Sequence, residues 1–361
     1  MRQVPPEPSA SDLAHRARGV GLPRVGRVAP SLTPVAGSAR EVLTLLRPWV
    51  ADGGEPLEMR TSGSTGEPKP IRLSHAAVLA SAHAALDRLG GPAQWLSALP
   101  PTGVGGLQVL VRSIVAGTEP VFLDDHADLE AAVAAMTGER RYASLVPTQL
   151  FRLVESGRAD VLAPLDAVLL GGAAAPRAVL ERAAEAGVHV VRTYGMTETC
   201  GGCVYDGLPL DGVRLRIEPD GRVAIAGSVL ADGMGEWLVT NDLGRIGEDG
   251  RLQVLGRADQ VAISGGVNVP LAAVESVLRD EPGVLDVVVV AQPDPEWGQR
   301  VVAFVVGDLD RPRAAAALDR AGHPRTWTPR AVHRVDALPL LANGKPDRVA
   351  LASREAPLRE S

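Results

Sequence analysis

The sequence has 361 residues, 45% of them hydrophobic and 22% charged, and its formal net charge is −6. These values are typical of a globular chain with about two domains, and no basic tract suggests a nucleic-acid partner. The polar N-terminus lacks the apolar core of a secretory signal, and no apolar run is long enough to span a membrane. Two cysteines cannot form a disulfide framework. We therefore expect a cytoplasmic protein without membrane contact.

The first part of the chain alternates short apolar runs with helical stretches. After weakly periodic residues 1–40, with one helix expected near Ser11–Arg18, Ser74 is the expected N-cap of a helix. The predicted helices are His75–Leu89, Ala127–Met136 and Pro176–Ala186. The predicted strands are Trp95–Leu99, Pro120–Leu123, Ala143–Val146, Ala167–Leu170 and Val188–Thr193. This alternation predicts βαβ units and a largely parallel sheet.

The later part has a different pattern. Turn residues separate the predicted strands Val213–Ile217, Val223–Ala226, Glu236–Thr240 and Arg251–Val254, which indicates a small antiparallel, barrel-like or meander region. Beyond Gly256 come a helix, two strands and a helix, at Pro270–Asp280, Val284–Ala291, Arg300–Val306 and Pro312–Ala321. The sequence therefore predicts an α/β fold with a large N-terminal domain, residues 1–257, and a small α+β C-terminal domain, residues 258–361.

The strongest local signal for chemistry is the run from Thr61 to Lys69, with the sequence TSGSTGEPK. Small hydroxyl residues and glycines allow backbone amides to converge on an anion, and the lysine adds a positive charge suited to phosphate. The spacing is not that of a Walker A loop, and no G-x-G-x-x-G occurs. On composition alone, a surface turn rich in Ser, Gly and Thr is an equal alternative.

Four further motifs follow in order: Leu170–Ala174, Tyr194–Thr199, Thr240–Gly244 followed by Gly256–Arg257, and Pro339–Lys345. With the Thr61–Lys69 run they resemble the five motifs of the adenylate-forming superfamily, which contains acyl-CoA synthetases, peptide-synthetase adenylation domains and luciferases. The resemblance implies activation of a carboxylic acid by ATP and Mg²⁺ as an acyl-AMP. It also implies transfer of the acyl group to coenzyme A.

The resemblance assigns roles to individual residues. Lys345 would bridge the carboxylate and the α-phosphate, Thr197 would bind the α-phosphate, and Glu198 would bind Mg²⁺ together with Thr65. Asp242 would accept hydrogen bonds from the ribose hydroxyls. The remaining nucleotide-binding positions are Thr61, Ser62, Gly63, Ser64, Gly66 and Lys69 for the β- and γ-phosphates, Gly171, Gly172, Ala173 and Tyr194 beside the adenine, Gly195 and Met196 in the segment that follows Tyr194, and Arg257 beside the ribose. Alone, Asp242 could be a turn residue and Tyr194 a core aromatic.

In the superfamily the C-terminal domain rotates between the two half-reactions, so the resemblance implies a mobile domain here. Asp259 matches the usual hinge. Gly265 and Gly266 match the loop that approaches the thioester site, where glycine permits close backbone contact with pantetheine. A simple interdomain turn is the alternative interpretation of both positions.

A narrower resemblance is to the o-succinylbenzoate–CoA ligases of menaquinone biosynthesis, carried by Gly106–Ser113, Gly171–Pro176 and Gly201–Gly207. It implies that Arg112 binds the carboxylate that does not react, since guanidinium can bind carboxylate bidentately. A surface arginine on a helix is the alternative. The glycines expected beside the substrate are Gly106, Gly201 and Gly202.

One departure from the family pattern leaves the acid open. The stretch Pro100–Gly106 has no histidine where the family usually has one or an aromatic residue. A CoA ligase for another aryl or acyl acid therefore remains an alternative. A non-catalytic nucleotide-binding relative is a further alternative, which the joint presence of Lys69, Glu198, Asp242, Arg257 and Lys345 disfavours. An amino-acid adenylation domain is less favoured, because no acidic residue is placed to hold an ammonium group. The expected partners are the acid, ATP and CoA, and the sequence leaves a homodimer open.

The pair Cys200 and Cys203 has the spacing of redox and zinc motifs. Zinc would need further ligands at a suitable spacing, and none is recognisable among the seven histidines. We therefore expect two small side chains that line the acyl pocket, with a redox or metal role as the alternative.

Overall fold

The computed structural model describes residues 29–62, 68–258, 260–341 and 346–354. The helix expected near Ser11–Arg18 lies outside these ranges. Among the helices inside them, none has both the length and the apolar character needed to cross a bilayer.

Several helices begin after a residue whose side chain caps the first turn. Ser74 Oγ accepts a hydrogen bond from Ala77 N–H at 3.3 Å, which confirms the predicted helix start. Ser38 and Glu41 form a capping box at the first helix, which the sequence reading missed. In chain order the helices are α1 (Ala39–Asp52), α2 (His75–Leu89), α3 (Val104–Val115), α4 (Leu129–Ala134), α5 (Pro147–Glu155), α6 (Arg177–Glu185), α7 (Leu271–Arg279), α8 (Arg311–Arg320) and α9 (Arg348–Ala352).

The strands form several sheets. In chain order they are β1 (Ser31–Leu32), β2 (Val35–Ala36), β3 (Leu57–Ser62), β4 (Pro68–Leu73), β5 (Gln94–Ser97), β6 (Val121–Phe122), β7 (Arg141–Leu145), β8 (Ala167–Leu170), β9 (Val190–Met196), β10 (Gly201–Tyr205), β11 (Leu208–Pro209), β12 (Val213–Ile217), β13 (Arg222–Gly227), β14 (Leu238–Ile246), β15 (Leu252–Arg257), β16 (Val261–Ser264), β17 (Val267–Pro270), β18 (Val284–Asp294), β19 (Gly298–Gly307) and β20 (Ala331–Arg334). Separate two-stranded hairpins pair β1 with β2 and β3 with β4.

The central sheet has the order β11-β10-β9-β8-β7-β5-β6. The pairs from β6 to β9 are parallel, and β10 and β11 continue antiparallel, so the predicted parallel sheet is confirmed. Both faces are covered: Trp95 packs edge-to-face on Tyr142 at 5.2 Å on one side, while Leu96 joins a different apolar cluster on the other. This two-sided burial explains why these strands are nearly continuous apolar runs.

The predicted antiparallel region is confirmed as a four-stranded meander, β12-β13-β14-β15. The strand expected at Glu236 begins instead at Leu238 and continues to Ile246. Across β14 and β15, Asp242 lies opposite Arg257. The meander therefore brings these two predicted ribose-binding residues together.

The C-terminal part is an α+β unit, as predicted. Its sheet has the order β17-β16-β19-β18, with β20 parallel to β19. The proline-rich stretch after residue 321 contains β20 and α9, which the sequence reading missed. At the junction with the meander, a Cβ on Gly256 would lie 2.1 Å from Ala272 Cβ, so only glycine allows α7 to pack this closely. The boundary between residues 257 and 258, and the mobility of this unit, remain predictions.

Candidate active site

The predicted adenine motif lies at the carboxyl edge of the parallel sheet, where open α/β sheets bind ligands. Gly171, Gly172 and Ala173 directly follow β8, and Gly172 and Ala173 are exposed. A Cβ on Gly171 would lie 2.4 Å from Thr193 Oγ1 on β9, and Gly172 has a φ of +89°. The neighbouring strand and the turn thus require these glycines.

The predicted phosphate motif forms the end of the β3–β4 hairpin. Thr61 and Ser62 end β3, and Thr61 pairs with Lys69, whose side chain is exposed. Gly63, Ser64, Thr65 and Gly66 lie outside the described residues. The hairpin therefore holds the two ends of the motif side by side.

A short segment after β13 joins this hairpin to the Thr197–Thr199 turn. Ala231 N–H donates to the Glu198 carbonyl at 2.9 Å, and Asp232 N–H donates to the Arg72 carbonyl at 2.9 Å. Two motifs that are far apart in the sequence are thus neighbours in the fold. Thr197 and Glu198 are half-buried, as residues at the edge of a site would be.

The backbone after Glu198 is fixed from several sides. Thr199 Oγ1 accepts from Met196 N–H at 2.9 Å and donates to the Gly201 carbonyl at 2.7 Å. The Cys200 carbonyl accepts two hydrogen bonds, from Ser81 Oγ at 3.0 Å and from Gln108 Nε2 at 2.9 Å. Helices α2 and α3 therefore both hold the turn in place.

Cys200 and Cys203 are free thiols that pack into different core clusters. Burial raises the pKa of both thiols to about 12. A thiol of this kind is largely protonated and a poor nucleophile at neutral pH. Moreover, no group of three His, Cys, Asp or Glu residues in the described chain could hold a metal ion. The redox and zinc interpretations thus gain no support, and an acyl-pocket role for the cysteines remains a prediction.

The predicted ribose site is a connected cluster. Tyr194 Oη donates to Asp242 Oδ2 at 2.8 Å, Arg257 Nη1 lies 3.6 Å from Asp242 Oδ1, and Asp242 N–H donates to Thr240 Oγ1 at 3.1 Å. Burial, reinforced by the Asp242 charge, raises the pKa of the Tyr194 hydroxyl far above its ordinary value. Tyr194 is therefore a permanent donor that orients the carboxylate.

Gly195 and Met196, two further predicted nucleotide-binding residues, lie where β9 meets β10. Gly195 pairs with Gly202, and a Cβ on Gly195 would lie 2.1 Å from the Gly201 carbonyl oxygen. Met196 pairs with Gly201 and is half-buried. Close strand packing thus explains the glycine at 195.

Arg112 is not a surface residue, so the alternative interpretation is wrong. Its relative exposure is 3%, and it lies on α3, whose residues 106–113 are all buried. The guanidinium lies 5.2 Å from the centre of the Trp95 ring, and Nη2 donates to Tyr205 Oη at 3.3 Å. Nε has no hydrogen-bond partner, and no carboxylate in the described residues forms an ion pair with Arg112.

The three glycines predicted beside the substrate have packing reasons of their own. A Cβ on Gly106 would lie 2.2 Å from the Pro100 carbonyl oxygen, which ties α3 to the preceding loop. Gly201 has a φ of +107°, and a Cβ on Gly202 would lie 3.1 Å from Thr193 Cβ. Contact with the acid therefore remains a prediction for all three.

Three residues around Arg112 were missed in the sequence: Trp95, Gln108 and Tyr205. Gln108 precedes Arg112 by four positions, so both lie on one face of α3. Gln108 is buried and its Oε1 has no partner. The i, i+4 spacing of two polar residues in an apolar helix was the available signal.

In the C-terminal unit, Gly265 and Gly266 form the two-residue turn between β16 and β17. Their φ values, +57° and +77°, are those of a type I′ hairpin turn, which favours glycine. Gly265 N–H donates to the Trp297 carbonyl at 3.0 Å, and a Cβ there would lie 2.5 Å from the Trp297 ring. The hairpin tip thus packs against this tryptophan.

The predicted hinge residue Asp259 and the predicted catalytic residue Lys345 lie outside the described residues.

The described acidic residues fit Mg²⁺ only as part of a nucleotide complex. Glu198 supplies one carboxylate, and no cluster of three metal-binding side chains occurs in the described ranges. Mg²⁺ in nucleotide sites is commonly bound by one or two carboxylates plus substrate phosphates and water. The residues present therefore suit a metal that arrives with a nucleotide.

The chain is similar to known proteins along most of its length. Residues 59–247 match the AMP-binding enzyme family, and residues 273–345 match the AMP-binding enzyme C-terminal domain. A probable 2-succinylbenzoate–CoA ligase of Mycobacterium tuberculosis is 45% identical, over 95% of this chain and 97% of the relative.

Two solved structures of the o-succinylbenzoate CoA synthetase of Bacillus subtilis are similar at 28% identity. The complex with the acyl-adenylate intermediate OSB-AMP has a TM-score of 0.68 and covers 82% of this chain and 69% of that one. The complex with ATP and magnesium has a TM-score of 0.66 and covers 81% and 69%.

Proposed function

We propose that this chain, which belongs to the AMP-binding enzyme family, is an ATP-dependent 2-succinylbenzoate–CoA ligase. In this reaction the acid attacks the α-phosphorus of ATP to give an acyl-AMP and pyrophosphate, and the thiol of CoA then displaces AMP. The M. tuberculosis relative, which aligns along nearly the whole chain, carries this ligase name. The narrower resemblance in the sequence links the same reaction to menaquinone biosynthesis.

The observation that carries the choice of acid is the buried, unpaired cation at Arg112. A guanidinium at 3% exposure without a carboxylate partner is costly, unless a ligand supplies the anion. 2-Succinylbenzoate has two carboxylates, only one of which reacts. The second would pair with Arg112, while the π face of Trp95 and the Tyr205 hydroxyl hold the guanidinium in place.

In the proposed nucleotide site, Asp242 accepts hydrogen bonds from the ribose hydroxyls. Tyr194 fixes one carboxylate oxygen, so that the carboxylate is oriented before the nucleotide binds. Arg257 Nη1 lies 3.6 Å from the other carboxylate oxygen and places a positive charge beside it. The exposed edge at Gly172 and Ala173 leaves room for the flat adenine.

The acid and the α-phosphate are both anions, and negative charge builds up as they react. Cations and hydrogen-bond donors that already point at the α-phosphate lower the barrier, because they need no reorganisation during the reaction. We assign this role to the Thr197 hydroxyl and to Lys345, with Lys69 and the amides of residues 61–66 on the leaving pyrophosphate. Bound Mg²⁺ would neutralise phosphate charge, with Glu198 and Thr65 as its protein ligands.

The thioester step would use another face of the C-terminal unit. Rotation about Asp259 would remove Lys345 and bring the Gly265–Gly266 turn to the acyl-AMP. Because neither glycine has a side chain, pantetheine can pass close to the backbone. CoA is thus the proposed second substrate.

Pyrophosphate release with ATP and Mg²⁺ tests this function, comparing 2-succinylbenzoate with benzoate, a fatty acid and amino acids, with and without CoA. We expect turnover with 2-succinylbenzoate and a thioester product when CoA is present. The Lys345→Ala variant is the matched control, because it should lose acyl-AMP formation yet still convert supplied acyl-AMP to the thioester. Turnover on another acid alone would overturn the choice of acid, and ATP binding without pyrophosphate release on any acid would overturn the ligase assignment.

A further inference from the structure

The first residue of α9, Arg348, lies three positions after Lys345 and ties this part of the chain to the core of the C-terminal unit. Its Nη1 donates to the Val289 carbonyl at 2.9 Å, and its Nη2 donates to Glu275 Oε1 at 3.0 Å and lies 2.8 Å from Oε2. We propose that Arg348 is a positioning residue for acyl-AMP formation, because these contacts fix the chain that follows Lys345. The inference rests on the proposed function, which assigns Lys345 to the α-phosphate.

The groups that hold Arg348 are themselves buried. Glu275 is 5% exposed, and Val289 has no exposed surface. Glu275 Oε2 also accepts a hydrogen bond from Val289 N–H at 2.9 Å, so the N–H and the carbonyl of this β18 residue both bond to the ion pair. Charge-assisted hydrogen bonds between guanidinium and carboxylate are strong and specific in geometry. Arg348 therefore has a defined position against β18 and α7.

Helix α9 depends on contacts of this kind. It has five residues, and isolated helices shorter than about 12 residues are marginal in water. Leu351, which is fully buried, packs into an apolar cluster on one face of the sheet, and its carbonyl accepts from Gln292 Nε2 at 3.3 Å. These contacts hold the C-terminal end of α9. The Arg348 side chain attaches the N-terminal end, which is nearer to Lys345 in the chain.

The link between Arg348 and Lys345 is short. It consists of Pro346 and Asp347. Proline fixes its own φ at about −65°, and Asp347 N–H donates to the Pro339 carbonyl at 2.8 Å. A displacement of Arg348 is therefore passed on to the lysine, because no flexible linker absorbs it. A misplacement of about 1 Å at a reacting group can cost roughly a hundredfold in rate.

Arg279 provides a matched control, because it pairs with the same carboxylate. Its Nη2 donates to Glu275 Oε1 and to the Val287 carbonyl at 3.3 Å, so each arginine bonds Glu275 and one β18 carbonyl. The Arg279 side chain is 13% exposed and that of Arg348 is 30% exposed. Removal of Arg279 should thus disturb the folded unit at least as much. Arg279, however, lies on α7, far from Lys345 in the sequence.

The test measures the two half-reactions separately in the wild type, Arg348→Met and Arg279→Met. We expect Arg348→Met to lower the rate of pyrophosphate release without CoA roughly 10- to 100-fold at saturating acid and ATP. Thioester formation from supplied acyl-AMP and CoA should keep its wild-type rate, because this step does not use Lys345. Arg279→Met should leave both rates unchanged.

Two kinetic outcomes would overturn the proposal. One is an equal rate of acyl-AMP formation in the two variants, and the other is an equal loss of both half-reactions in Arg348→Met, which a purely structural role predicts. Failure of the wild type to form acyl-AMP would instead count against the proposed function.

Chemical labelling tests the position of Lys345 even if no acid is turned over. The chain contains only two lysines, Lys69 and Lys345, so an amine-reactive reagent can be read at each of them by mass spectrometry. Bound ATP should protect Lys345 in the wild type and in Arg279→Met, and protect it less in Arg348→Met. The protection of Lys69 should be equal in all three proteins. Equal protection of Lys345 in the three proteins would overturn the proposal.

Discussion

The Tyr194 hydroxyl donates a 2.8 Å hydrogen bond to Asp242 Oδ2 across a separation of 48 positions. Tyr194 belongs to the last parallel strand of the central sheet, and Asp242 belongs to the meander. The bond therefore joins two sheets at the place where the nucleotide motifs meet. It also leaves Oδ1 as the oxygen that faces Arg257.

Tyr194→Phe should raise KM for ATP roughly tenfold, since it removes a hydrogen bond to a charged group and keeps the ring. Asp242→Ala should raise it more, because both ribose contacts would be lost. Tyr142→Phe removes a hydroxyl that bonds the Leu89 carbonyl elsewhere in the sheet and is the control. Pyrophosphate release at varied ATP measures each effect. The same KM in Tyr194→Phe and Tyr142→Phe would contradict a role for Tyr194 in nucleotide binding.

Arg112→Leu should raise KM for 2-succinylbenzoate roughly a hundredfold and change KM for ATP little, because a charge pair with the substrate is lost. The variant should also be at least as stable as the wild type without ligand, since an apolar side chain replaces an unpaired buried cation. Thermal unfolding with and without the acid measures both. A parallel rise of both KM values, or a large loss of ligand-free stability, would show that Arg112 serves the fold and not the acid.

Gln108→Leu should lower the rate of acyl-AMP formation by roughly two- to tenfold with little change in KM for ATP. The substitution removes the Gln108 Nε2 bond to the Cys200 carbonyl, which helps to hold the turn behind Thr197 and Glu198. Ser81→Ala removes the other bond to the same carbonyl and should give a similar loss. Full activity in the double variant would show that this carbonyl does not position the turn.

The sequence-based predictions were most accurate for two kinds of element: helices that begin at a local cap, and apolar strands that are buried on both faces. Strand β8 and helix α2 have the predicted bounds, because β8 is a fully buried apolar run and α2 starts at a serine cap. The missed elements contradict local propensity: β10 begins with two glycines and β4 contains Pro68 and Pro70. Strand β10 is stabilised by pairing with β9, and β4 by pairing with β3. A local sequence pattern does not show which strands will pair.

The sequence could name candidate site residues but could not predict how they pack together. The identities of Asp242, Arg257 and Tyr194 came from motifs, but their mutual contacts depend on how the meander meets the sheet. The burial of Arg112 could not be predicted from periodicity, because α3 is buried on all its sides from Gly106 to Ser113. For such a helix the amphipathic pattern that separates core from surface is absent.

Glu275→Ala should lower the free energy of unfolding of the C-terminal unit by roughly 3–5 kcal/mol, the usual cost of breaking a buried ion pair. Glu275 is buried, pairs with Arg279 and Arg348, and accepts a hydrogen bond from Val289 N–H at 2.9 Å. Urea unfolding measures the change. The control is Glu181→Ala, which breaks an exposed i, i+4 pair with Arg177 and should have little effect. Equal effects of the two substitutions would contradict the importance of burial.

Asp286→Asn should stabilise the protein at neutral pH and have no such effect in strong acid. Burial, partly opposed by the nearby Arg279 charge, raises the pKa of the Asp286 carboxyl above its ordinary 3.8. The folded state therefore binds the proton more tightly than the unfolded chain does. It follows that the stability from this group is complete below pH 3.8 and is lost as the pH rises through the folded pKa. Asparagine stays neutral and can still accept the Val287 N–H bond of 2.8 Å, so it lacks this loss. Thermal midpoints of the two proteins should diverge as the pH is raised from 3.8 to 7. A constant difference over that range would mean that ionisation of Asp286 does not affect stability.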